Sequence, residues 1–316
     1  MKYFIITIDT EGDNLWSWSE GDKITTENTK YLQRFQNLCE QYAFKPVWLS
    51  NYEMIENKEY VKFIQRVEET NTGELGMHLH AWNTPPKFDL PVVQTGAPYL
   101  IEYPFEVMEQ KIEYLTNHIY ELTGLKPTTH RAGRWAMNQD YYDLLIKYGY
   151  EVDCSVTPHI DWAKSVGRSE GVGGSDYSNS PEKPHYVRST ANDGEILEVP
   201  VSIRTSHKYF MPAHITWKTI AGSLLSLARG NILWLRPNGY NLKQMKYLIR
   251  EISISDDEYL MFMLHSSELM PGGSPTFRTE ESIEKLYSDL EIIFDMVSKN
   301  FRGITLRDYG RNYYGN

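Results

Sequence analysis

The chain has 316 residues, 41% of them hydrophobic and 23% charged, which is ordinary globular composition with ample material for a core. A formal net charge of −10 and the lack of any run of Lys or Arg argue against a nucleic-acid backbone as partner. The two cysteines, Cys39 and Cys154, lie far apart in the sequence and in no metal-type spacing, so neither a disulfide framework nor a cysteine metal site is expected.

In chain order, "YFIITI" (3–8) is an apolar, β-branched strand pattern ended by Asp9, and residues 27–42 set Leu32, Phe35, Leu38, Cys39 and Tyr42 at helical spacing. A short strand over 46–50 and a helix over 59–69 lead to "ELGMHLH" (74–80), a buried-strand pattern carrying two histidines. Residues 81–104 form a long proline-rich loop, followed by a helix over 105–123 with Gly124 at its end. "THRAGR" (129–134) is a strand, Asn138 caps a helix over 139–148, and "EVDCSV" (151–156) is a further strand. Residues 164–194, rich in Gly, Ser, Pro and Asn, read as a second long loop. Strand 196–203, helix 215–229, strand 232–235, helix 242–253, strand 259–265, helix 280–299 and strand 303–306 complete the pattern.

Alternating β and α elements predict a parallel α/β sheet, and their number and the length favour one barrel domain over 1–316, with an open doubly wound sheet as the alternative. The N-terminal apolar run is too short for a signal-peptide core and no stretch could span a bilayer, so a soluble, cytoplasmic protein is expected.

In either architecture chemistry gathers at the C-terminal ends of the strands. Five such ends carry Asp9 and Glu11, His78 and His80, Arg131, Asp153, and His265. Residues i and i+2 of a strand share a face, so His78 and His80 point together, as do Asp9 and Glu11 if the strand stays extended. Two imidazoles and one or two carboxylates at a barrel mouth suit a divalent cation such as zinc. Taken singly, each has a plainer role as a turn cap, an ion-pair partner or a hydrogen-bonded strand end; several at one sheet edge carry the metal reading. "GVGG" (171–174) lacks the Lys-Ser/Thr of a phosphate loop, and Ser155 and Ser266 lack a nucleophile-elbow glycine pattern.

Five motifs, "TIDTEGD" (7–13), "ELGMHLHAW" (74–82), "HRAGRW" (130–135), "VDCSV" (152–156) and "MLHSS" (263–267), span essentially the whole chain. In this order they resemble the polysaccharide deacetylases of the NodB-homology type, carbohydrate esterase family 4, and especially the branch associated with lipopolysaccharide and cell-wall polysaccharide biosynthesis. The resemblance implies a distorted (β/α) barrel of seven to eight parallel strands that removes N- or O-acetyl groups with one divalent metal ion. Zinc is the expected ion, with cobalt, nickel and manganese as alternatives. It also implies roles: Asp9 as general base, Arg131 holding Asp9 ionised, His265 protonating the departing amine, and Asp153 orienting His265. His78 matches the family's first metal-binding histidine.

The chain departs from the family pattern in three places. Thr10 replaces the second aspartate, which leaves Glu11, or Asp13 as the alternative, as carboxylate ligand. Trp82 stands four residues after His78, where the family has its second histidine, which leaves His80 as the substitute. Val156 replaces the fourth-motif tryptophan. Trp82 and Trp135 are the aromatic candidates for contact with a sugar, and the implied substrate is an acetylated sugar or a nucleotide- or lipid-linked sugar precursor. Two rival readings are a barrel that binds carbohydrate without catalysis and a His-x-His metallohydrolase of another class; the latter carries its pair on the first strand, whereas here it is on the third.

Overall fold

The computed structural model describes residues 1–19, 21–210 and 230–314, so the helix expected over 215–229 lies outside the described residues. Eleven strands are described: β1 (Lys2–Thr10), β2 (Pro46–Ser50), β3 (Glu74–Leu79), β4 (Thr129–Ala132), β5 (Val152–Asp153), β6 (His185–Arg188), β7 (Glu195–Glu198), β8 (Ile203–Ser206), β9 (Asn231–Trp234), β10 (Tyr259–His265) and β11 (Phe301–Gly303). Nine form one sheet in the order β10-β1-β2-β3-β4-β5-β7-β6, with β11 beside β1. All its pairings are parallel except β6–β7. β8 and β9 make a separate antiparallel pair.

Local chemistry sets the connecting helices. Asn57 accepts from the Glu59 and Tyr60 N–H groups to start helix Lys58–Glu69, and Asn138 accepts from the Tyr141 N–H to start helix Gln139–Lys147. Gly124, at φ 74°, ends helix Phe105–Thr123 in a conformation that favours glycine.

Strand alternation sorts the sheet into two buried faces. On the outer face Phe4, Ile6 and Ile8 of β1 and Leu260, Phe262 and Leu264 of β10 pack with helical residues such as Phe35, Leu38 and Phe294. On the inner face Ile5 of β1 meets Val47, Leu49, Val152, Cys154, Met261 and Met263. The inner face also carries buried polar residues within the sheet, such as Thr7 of β1, and turns charged toward the C-terminal ends of β1, β4 and β10.

The curled sheet is a distorted barrel that strand pairing among the described residues does not close. The open edge of β10 is met by irregular chain that follows β7 and β9: the Tyr259 hydroxyl donates to the Pro200 carbonyl, the Met261 N–H to Ser202 Oγ at 2.8 Å, and the Met263 N–H to the Leu235 carbonyl at 3.2 Å.

Several expectations are corrected. The strand expected over 196–203 is two strands in different sheets, with Pro200, which has no N–H for a ladder, between them. The strand expected at 232–235 pairs with β8 and not with the barrel. The expected loop 164–194 contains β6, which pairs with β7. The strand expected at 303–306 is replaced by β11, which ends at Gly303, and by helix Leu306–Tyr314, started where Thr305 Oγ1 accepts from the Asp308 N–H. Leu306 and Tyr309, three apart, bury that helix against the inner core. No described helix is long and apolar enough to cross a membrane.

Candidate metal centre

The inner-face alternation that buries Ile5, Met261 and Met263 delivers Asp9 and His265 to the C-terminal ends of β1 and β10, directly opposite each other in register. In the same way His78 of β3 lies opposite Arg131 of β4. Glu11 and His80 sit just past their strands, and all of these side chains except the slightly more exposed His265 are buried.

Glu11, His78 and His80 bring three ligand atoms within 4.8 Å of one another, and they are the one such group of His, Cys, Asp and Glu among the described residues. Glu11 Oε2 is 2.8 Å from His80 Nε2 and 3.5 Å from His78 Nε2, and the two Nε2 atoms are 3.0 Å apart. A tetrahedral zinc with bonds of about 2.0–2.2 Å requires ligand–ligand edges of roughly 3.3–3.6 Å, so the three converging atoms would open by a few tenths of an ångström to take such an ion. His78 Nδ1 lies 2.9 Å from the Arg131 carbonyl, which can only accept; Nδ1 therefore donates and Nε2 keeps its lone pair for a ligand. His80 Nδ1 is buried with no partner among the described residues, and the ring's hydrogen bonds run through Nε2.

The electrostatics suit a cation. Burial pushes the Glu11 carboxyl up, but His265, His78 and His80 around it prevail and hold it well below the usual carboxylate range. Burial lowers His78, and Asp9 and Glu11 more than reverse this; at His80 burial prevails and keeps the imidazole below its ordinary value.

The loop carrying Glu11 is held from three sides. Its N–H donates to Ser266 Oγ at 3.0 Å, its carbonyl accepts from Asn28 Nδ2 at 2.8 Å, and the Gly12 N–H donates to Glu53 Oε1 at 2.6 Å. Gly133 allows close approach on the other side: a Cβ there would meet the Leu79 carbonyl oxygen at 2.4 Å and His80 Nδ1 at 3.2 Å. Asp13, the alternative carboxylate, is committed elsewhere, accepting from the Thr25 hydroxyl and the Asn28 N–H, and does not join the cluster.

Beside the cradle, Arg131 is fully buried. It donates from Nη1 to Asp9 Oδ1 at 2.6 Å, from Nη2 to Thr7 Oγ1 at 2.8 Å and from Nε to the Cys154 carbonyl at 3.1 Å. Burial raises the Asp9 carboxyl, but Arg131, His78 and His265 outweigh it and hold the group below its ordinary value. Asp9 Oδ2 is turned toward His265 Nε2, 3.8 Å away, and Glu11 Oε1 lies at the same distance from that nitrogen.

Asp153 does not join this group. In register it sits opposite His130, on the face of β4 away from Arg131, and its Oδ1 is 2.6 Å from His130 Nδ1. Ser155 donates to it through both N–H and hydroxyl, and Tyr141 approaches the far nitrogen of His130 at 2.8 Å. The expected orienting of His265 by Asp153 is therefore corrected, and the reason is parity: Val152 and Cys154 face inward, so Asp153 between them faces out.

Instead, His265 Nδ1 lies 3.2 Å from Glu268 Oε2 and 3.1 Å from Arg236 Nη2. Neither residue is found by reading strand ends; the available signal is Glu268 standing one helical turn after His265. Trp16, whose ring meets His265 edge-on at 5.1 Å, also lines the mouth. Trp82 packs edge-on against His80 with centroids 4.1 Å apart and stacks on Trp18. Trp135 is mostly buried, lying 4.8 Å from the Arg131 guanidinium and edge-on against Trp234. Arg134 and Trp135 both adopt positive φ, 56° and 64°, a strained pair of the kind that collects at functional sites.

No family model matches the sequence, and no curated protein matches it. Solved structures do. A Mycobacterium smegmatis protein assigned as a polysaccharide deacetylase superposes with a TM-score of 0.56 at 14% identity, over 99% of this chain and 91% of that one. A Pseudomonas aeruginosa protein assigned likewise gives 0.52 at 12% identity, over 99% and 90%. The 4-alpha-glucanotransferase of Thermococcus litoralis gives 0.54 at 16% identity, over 98% of this chain but 40% of its own. The chain thus has the fold of polysaccharide deacetylases, shared with a transferase, and its chemistry has to be argued from the site.

Proposed function

We propose that this chain is a metal-dependent hydrolase that removes an N-acetyl or related acyl group from a sugar in surface-polysaccharide biosynthesis. The observation that carries this reading is the Asp9–Arg131 pair set beside the Glu11–His78–His80 cradle, with His265 facing both. The motif resemblance and the shared fold support it. The substrate would be an acetylated sugar or a nucleotide- or lipid-linked sugar precursor, received at the mouth by Trp82 and Trp16, with Trp135 packed on Arg131 beside it.

Glu11, His78 and His80 would hold one divalent ion, zinc by its donor set. When bound, such an ion lowers the pKa of water and polarises an acyl carbonyl. The chain's own groups divide the proton work. Arg131 occupies Asp9 Oδ1 and keeps the carboxylate charged, leaving Oδ2 free to take the proton of the attacking water. As water oxygen bonds to the acyl carbon and the C–N bond breaks, His265 Nε2 gives a proton to the departing nitrogen. Free acetate and an amino sugar result.

Acetate release from N-acetylglucosamine oligomers, measured with zinc-loaded and chelator-treated protein, tests this. Asp9→Asn should cut turnover by about 10²–10⁴-fold while zinc content is retained. Near-normal turnover in that variant would show the base assignment to be wrong.

A further inference from the structure

We infer that Glu268 is the positioning residue for His265: its carboxylate accepts the ring Nδ1–H, so that Nε2 is the atom that gains and gives the proton. This rests on the hydrolase reading above and supplies the partner that Asp153, bound to His130, does not provide.

Glu268 belongs to the short turn Ser266–Leu269 that follows β10. The turn folds its side chain back over the strand end, where Oε2 accepts from the His265 backbone N–H at 2.9 Å and lies 3.2 Å from Nδ1 of the same residue. One oxygen thus ties the backbone and the ring of His265 together, and the ring cannot turn without giving up that contact. The edge-on contact with Trp16 braces the imidazole as well.

Two side chains of opposite character approach Nδ1. Glu268 as a carboxylate can only accept, whereas Arg236 can only donate. Arg236 Nη2 stands 3.1 Å from Nδ1 and 3.5 Å from Glu268 Oε1. Glu268 is almost fully buried; burial raises its carboxyl, but Arg236 and His265 prevail and hold it below its ordinary value, so it is charged at neutral pH. The charged, buried Oε2, whose other donor is the His265 backbone N–H, draws a proton onto that nitrogen, at the cost of facing the Arg236 Nη2–H across 3.1 Å. The opposite tautomer would set the Nδ1 lone pair against Oε2. With Glu268 in place, Arg236 serves as its counter-charge. Without the carboxylate, the groups left beside the ring, Arg236 Nη2 and the backbone N–H of residue 268, can only donate and draw the ring proton over to Nε2.

The test uses two substrates that differ in their need for a proton. N-acetylglucosamine oligomers release an amine, which must be protonated as it leaves, whereas 4-nitrophenyl acetate releases a stable phenolate. Glu268→Gln should lower kcat on the amide by about 100-fold with little change in KM, and change the ester rate by no more than about threefold. Equal losses on both substrates, or none on the amide, would overturn the assignment. A second readout does not depend on activity: nitrogen NMR of histidine-labelled protein at pH 8, with the His265 signals identified by their loss in His265→Gln. Wild type should show Nδ1–H, and Glu268→Ala should show Nε2–H. An Nε2–H ring in wild type would overturn the positioning role, whereas wild type with Nδ1–H but no amide cleavage would contradict the hydrolase reading alone.

Discussion

Replacing Arg131 with methionine removes one partner of a fully buried ion pair while keeping most of the stem's volume. Three acceptors lose their donor at once: Asp9 Oδ1, Thr7 Oγ1 and the Cys154 carbonyl. Breaking a buried pair from one side costs about 3–5 kcal/mol, because the remaining charge is left desolvated. The same pair removed from both sides, as Asp9→Asn with Arg131→Met, leaves no such charge and should regain about 1–3 kcal/mol relative to the sum of the single changes. Urea denaturation followed by tryptophan fluorescence, in the presence of a chelator so that metal binding does not contribute, measures all four corners of the cycle. A loss below about 1 kcal/mol for Arg131→Met, or simple additivity in the double variant, would refute the reasoning.

Glu74, buried at the start of β3, accepts from the Thr129 hydroxyl and the Arg307 N–H, yet burial pushes its carboxyl up to about 7. The folded state therefore holds a proton that the unfolded chain releases near 4.5, so this group's stabilisation is complete below pH 4.5 and is lost as pH rises through 7. At about 1.4 kcal/mol per unit, up to roughly 3 kcal/mol is at stake. Glu74→Gln should flatten the fall in stability between pH 5 and 8 in denaturation series; parallel curves for variant and wild type would contradict this. Gly133→Ala should cost about 1–3 kcal/mol from the forced contact with the Leu79 carbonyl. It should also weaken zinc binding at least tenfold by displacing His80, as read by competition with a chromogenic chelator, and unchanged zinc affinity would count against His80 as a ligand.

The sequence shows the barrel clearly where period and strand end coincide. The apolar runs of β1, β2, β3 and β10 are legible because both of their faces are buried, and the pairs Asp9/Glu11 and His78/His80 stand out as polar residues at their ends. What the sequence conceals is parity and register. Asp153 follows a strand pattern as Asp9 does, yet the short strand β5 presents it to the outer face. Strands β6 to β8 are hidden for another reason: they are four residues long, and the bends at Gly194 and Pro200 separate them. Glu268 is silent because its role depends on a turn folding back on the strand it leaves, a contact made over three residues that no periodicity marks. Asp13 stands in the sequence as the alternative to Glu11; the Thr25 and Asn28 bonds that claim Asp13 become visible only once the loop is folded.

The most direct test of the metal centre is stoichiometry. Wild type and a His78→Ala/His80→Ala variant would each be loaded with zinc, desalted and analysed by inductively coupled plasma mass spectrometry. Wild type should retain about one zinc per chain and the variant almost none. Folded wild type without zinc, or equal zinc in both proteins, would contradict the assignment of Glu11, His78 and His80 as a metal site.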